Sequence, residues 1–115
     1  MTDRELLELA AKAAGIEVWP GTGFQAHVLF TRPAKADPDG KVTGVEWNPL
    51  AEDGAALRLG VRLKLKIYQA ETAAIAHPRM SHGYVGEAYD DNGMDKYAAT
   101  RRAIVRAAAA IGKEM

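Results

Sequence analysis

The chain has no cysteine among its 115 residues. That excludes a disulfide framework, a thiolate nucleophile and any cysteine-ligated zinc or iron–sulfur site. It has no excess of either charge. Fifteen Lys and Arg balance fifteen Asp and Glu, so no net field draws the whole molecule to nucleic acid or to an anionic membrane, and nucleic acid is not an expected partner. It has no apolar run of about eighteen residues, the length at which a membrane-spanning helix becomes the natural reading. Its opening, MTDRELLELA, is charged from the third residue and lacks the apolar stretch of a signal peptide. We expect a protein that is neither exported by a standard signal nor membrane-spanning, for which a reducing cytoplasm is the fitting compartment.

What is present is ordinary for a globular chain. Hydrophobic residues make up 48% and charged residues 26%, enough apolar surface to fold and a length suited to one domain over residues 1–115. Thr2-Asp-Arg-Glu5 reads as a capping box, Leu6, Leu7, Ala10, Ala11 and Ala14 fall at helical spacing, and Gly15 stands where a C′ glycine belongs. A helix over 3–14 follows. A turn over 18–23 precedes a strand expected at 24–31, and the proline- and glycine-bearing stretch 32–44 reads as an exposed loop or hairpin tip. Val45 to Trp47 fits a short returning strand, and Asn48-Pro49 offers an N-cap with a proline at the first helical position.

The next segment supports two periods. Leu57 to Ile67 alternates with Arg58, Gly60, Arg62, Lys64 and Lys66 as a strand with a basic face would, while Ala56, Leu59, Gly60 and Leu63 form a helical stripe behind acidic Glu52 and Asp53. We read a helix over about 52–62 running into a strand over 64–70. A weak strand at 73–77, a strand within 82–90 and a turn at Asp91-Asn92-Gly93 come next. The closing helix, roughly 95–111, is capped by Asp95, carries a stripe of Tyr97, Ile104, Ala108 and Ile111, and is expected to stop at Gly112. The expected class is α+β: a short, mainly antiparallel sheet of three to five strands packed with three helices, sandwich-like.

Several of these residues also carry a resemblance. The helix ending in Ala14-Gly15, the motif Trp47-Asn48-Pro49-Leu50 followed by Asp53-Gly54-Ala55-Ala56-Leu57, and a closing helix opening Asp95-Lys-Tyr-Ala-Ala resemble small phage and prophage accessory proteins of the NinX and ABA-sandwich type. The resemblance spans about residues 3–112. It implies a cytoplasmic accessory protein of a bacterial host and carries over no catalytic residue. By analogy with small phage proteins that sequester cyclic nucleotides, it also admits a nucleotide-like or phosphorylated ligand.

Each candidate site has a plainer reading beside it. Trp47 and Asn48 at a helix start suit an anion, or else the tryptophan fills the core while the amide caps. Arg101 and Arg102, with Arg106 a turn on, suit phosphate, or else complement the end of a helix. Tyr84 and Tyr89, with Gly83 and Gly86 allowing close approach, offer stacking faces, or else one tyrosine lies in the core and the other on the surface. His27, His77 and His82 match no metal-ligand spacing, so no metal or other cofactor is expected. Residues 20–24 are glycine-rich but lack the lysine of a phosphate-binding loop. Adjacent Ser81 and His82 on a strand point to opposite faces, so no catalytic constellation is legible and an enzyme is not expected.

Two functions follow as expectations. The first is a binding protein in which Trp47, Asn48, Tyr84, Arg101 and Arg102 converge on a nucleotide-like ligand. The second is an interaction module that binds a host protein through an exposed apolar face, with a homodimer as one form.

Overall fold

The computed structural model describes residues 1–21, 28–36, 42–78 and 83–115, with backbone alone for 32–36 and 42–44. The first helix, α1 (Asp3–Ala14), forms as its sequence dictates. Thr2 Oγ1 accepts the Glu5 N–H at 3.2 Å. Gly15 enters the left-handed region at φ 69°, which lets the following Ile16 N–H close on the Ala11 carbonyl at 2.9 Å.

An antiparallel sheet follows, in the order β1 (Trp19–Pro20), β2 (Leu29–Ala36), β3 (Val42–Glu46). The sequence reading needs correction here. β2 runs on through Pro33 to Ala36 and β3 begins at Val42, so much of the stretch read as loop is paired backbone; residues 24–27 lie outside the described residues. Pro33 is tolerated because the register shifts between Thr31 and Lys35. At such an irregularity a residue without an N–H removes no ladder bond.

Asn48-Pro49 does not open a helix. Asn48 Oδ1 accepts the Leu50 N–H at 3.2 Å, and its carbonyl accepts from Ala51 and Glu52 at 3.0 Å. The asparagine therefore closes a turn on itself, the local alternative its short amide side chain favours. The helix, α2 (Asp53–Arg62), starts at Asp53 with Glu52 in the cap position and no side-chain cap. Between the two periods, the helical one prevails up to Arg62, with Ala55, Ala56, Leu59 and Gly60 buried. Lys64, at φ 56°, then turns the chain into β4 (Lys66–Gln69).

β4, β5 (Ala73–His77) and β6 (Val85–Ala88) make a second antiparallel sheet in that order. A short 3-10 turn at Asp90–Asn92 leads to α3 (Lys96–Lys113), where Asp95 Oδ1 accepts the N–H groups of Tyr97 and Ala98, each at 3.0 Å. Among the described residues the fold is thus α+β with three α-helices, and the strands divide between two three-stranded sheets.

α3 is the central element because two of its faces are apolar. Ile104, Val105, Ala108 and Ala109 pack with α1, α2, Leu29 and Trp47, while Ala99, Ala103 and Ala107 pack with Ala74, Ala76 and Tyr89 of the second sheet and its exit. α1 lies parallel to α3, as the contacts Asp3 to Arg102 and Leu9 to Gly112 show. Gly112 does not terminate α3; it is buried within the helix, and a Cβ on it would stand 2.0 Å from the Leu9 carbonyl oxygen. Tyr97, expected in the buried stripe, is 71% exposed. Among the described residues no helix is long and apolar enough to cross a membrane.

Candidate functional site

Of the five residues read as a ligand site, two come together. Arg101 donates through Nε to the Leu50 carbonyl at 2.8 Å and through Nη1 to Asp53 Oδ1 at 2.7 Å. Because Asn48 Oδ1 holds the Leu50 N–H, Asn48 and Arg101 clamp the same turn from opposite sides and fix the start of α2 on α3. Trp47 is next in sequence, but it is 8% exposed and belongs to the core around Leu29 and α1. Arg102, one residue along α3 from Arg101, reaches Asp3 at 2.9 Å and approaches Glu87 at 3.9 Å. Tyr84 is 66% exposed just before β6, at the sheet edge opposite β4 and α2. The five residues therefore occupy a turn, the core, a pair of ion pairs and a far edge.

The arginines of α3 are engaged one after another. Glu87, nearly buried on β6, pairs with Arg106, which also donates to the Gly86 carbonyl at 3.1 Å, and Glu87 accepts from Asn92 Nδ2 at 3.1 Å. Such pairing satisfies a carboxylate that burial would otherwise penalise. His77 Nδ1 lies 2.9 Å from the Pro78 carbonyl. His27, Ser81 and His82 lie outside the described residues. Among the described residues no three acidic or histidine side chains gather as a metal would require.

The unsatisfied surface lies around α2. Its inner stripe is buried, so Leu57 and Val61, one turn apart, point outward and are 61% and 68% exposed. An open groove of about 910 Å³ runs from this ridge to the end of α1 and to β3, where Val45 is 58% exposed. Glu17, Glu46, Glu52, Arg58 and Arg62 rim it. None of these five makes an ion pair within the chain among the described residues, whereas Arg4, Arg101, Arg102 and Arg106 each do. On the other side of Leu57 is a shallower recess of about 450 Å³ walled by Ile67, Ile104 and Tyr97, with Gln69, Thr100 and Arg101 at its margin.

The sequence contained the signal for this face. Once Ala56, Leu59 and Gly60 are assigned to the inside of a helix, Leu57 and Val61 must lie outside it. The same residues alternate with Arg58, Arg62, Lys64 and Lys66, a pattern that fits a basic strand face equally well until the helix is formed.

Comparison of the chain with known protein families, with curated proteins and with solved structures returns no significant match to any of them.

Proposed function

We propose that this chain is a non-enzymatic protein-interaction module of the phage or prophage accessory kind, working in the cytoplasm of a bacterial host by docking the outer face of α2 on another protein. One observation carries the reading: Leu57 and Val61 stand side by side in solvent on a helix whose inner face is already buried, above a rim of charges that form no ion pair among the described residues. Isolated exposed aliphatics are ordinary, but a contiguous apolar ridge with a polar surround has the anatomy of an interface. Burying each of the two side chains is worth about 1.5–3 kcal/mol.

The reading is tested by placing a photo-crosslinking amino acid at position 57 and, as control, at position 84, and irradiating in host cells. A discrete adduct at 57, absent at 84 and suppressed by Val61→Glu, is the expected outcome. Absence of an adduct at 57 contradicts the proposal.

A second reading rests on the recess beside α2, which an aromatic residue and an arginine, Tyr97 and Arg101, both line. A nucleotide-like ligand there stacks on Tyr97, but its phosphate must displace Asp53 from Arg101, which makes this the weaker case. Thermal shift with mononucleotides, cyclic dinucleotides and ADP-ribose tests it. A rise in Tm that Arg101→Ala abolishes supports it, and no rise with any of them removes it.

A further inference from the structure

We infer that the occupant of the α2 face is a second copy of this chain, docked about a two-fold axis that crosses α2 near Leu57. This rests on the interaction reading and identifies the partner.

The first ground is charge. Along α2 the two signs are segregated: Glu52 and Asp53 stand at the start, Arg58 and Arg62 in the second half. Glu52 and Arg62 are about 15 Å apart along the helix axis at 1.5 Å per residue, too far to pair with each other. Asp53 is held by Arg101, while Glu52, Arg58 and Arg62 have no ion-pair partner among the described residues. Within the chain, Arg58 lies back over Gly54, with Nη1 3.3 Å from where a Cβ would be, and Arg62 lies beside Gly15 at the carbonyl end of α1. A partner of one sign would answer half of this face and repel the other half. A two-fold mate answers all of it, because the operation sets the two helices antiparallel and brings the acidic start of each against the basic end of the other. The helix dipoles then oppose as well.

The second ground is shape. The Leu57–Val61 ridge stands between two hollows, the groove toward Val45 and the recess beside Tyr97. Rotation about an axis that crosses α2 keeps each feature at its place along that axis, so the ridge meets the mate's ridge, Leu57 and Val61 covering one another at the centre of the contact, and each hollow faces its own copy. Glu46, on the far wall of the groove, then faces the mate's groove, whose near wall carries Arg58 and Arg62.

Sedimentation equilibrium of the full chain over the micromolar range is the test. The mass is expected to rise with concentration toward twice the 12.4 kDa of one chain and to fall back as salt screens the rim. The variant Arg58→Glu/Arg62→Glu and the variant Glu46→Lys/Glu52→Lys should each stay monomeric with an unchanged circular dichroism spectrum, and an equimolar mixture of the two should recover the doubled mass. A wild type that keeps the single-chain mass throughout overturns the inference, as does a charge-reversed variant that dimerises like the wild type.

The crosslinking reaction separates this inference from the one it rests on. An adduct at position 57 of doubled chain mass supports both. An adduct with a different protein overturns the second copy and leaves the interaction reading standing, and no adduct overturns both.

Discussion

Two buried glycines in helices face different neighbours, and their substitutions should differ accordingly. At Gly112 an added Cβ meets the backbone of α1, 2.0 Å from the Leu9 carbonyl oxygen, and neither helix yields without moving the other. Gly112→Ala should cost at least about 2 kcal/mol in urea unfolding, in the range of overpacked cores. At Gly60 the added atom meets the tip of Ile67, 2.8 Å away at Cδ1, which turns aside. Gly60→Ala also gains about 1 kcal/mol of helix propensity. Its net effect should lie within about 1 kcal/mol of zero, and the contrast between the two variants checks which contact is rigid. A third residue-scale expectation concerns Glu87. Arg106→Ala leaves this nearly buried carboxylate with Asn92 and the distant Arg102. It should destabilise by about 1–2 kcal/mol, below the cost of breaking a fully buried pair because the arginine is itself partly in solvent.

The three helices differ in how their ends are made, and that difference governs how far the sequence could be read. α1 and α3 each start on a side-chain cap, Thr2 and Asp95, in front of a clear 3.6-residue stripe, and both starts were legible. Asp95→Ala removes the acceptor of two N–H groups and should cost about 1 kcal/mol by thermal or urea unfolding. α2 has no side-chain cap, and the asparagine and proline ahead of it, which read as its start, close a separate turn instead. The same ambiguity of local signal concealed the end of α3. A glycine at position 112 fits a C-cap and fits a close helix contact equally well, and only the nearness of α1, about a hundred residues earlier, selects the second. Pro33 and its neighbours misled for a related reason: loop composition is tolerated in a strand wherever the register slips. Of the candidate site, the arginines and Asn48 were legible as residues with work to do. Their work proved to be holding α2 and β6 to α3, since their carboxylate and carbonyl partners lie up to about a hundred positions away.

At the scale of the molecule, α3 joins two apolar clusters, and the chain's internal pairing gathers along it. Arginines on α3 meet Asp3, Asp53 and Glu87 from three different elements. The outer face of α2 is the reverse case, where aliphatic side chains and charges of both signs are left over after the fold is complete. On the proposed reading this face serves association and contributes little to the stability of one chain. Thermal unfolding of the wild type over a range of protein concentrations, beside the double variant Leu57→Glu/Val61→Glu, measures that most directly. The variant should melt at one temperature throughout, and the wild type should meet it when dilute and rise above it as concentration grows, because a partner that binds only the folded state raises Tm by mass action. A variant that melts well below the dilute wild type would contradict that reading, since Leu57 and Val61 would then belong to the core of the single chain.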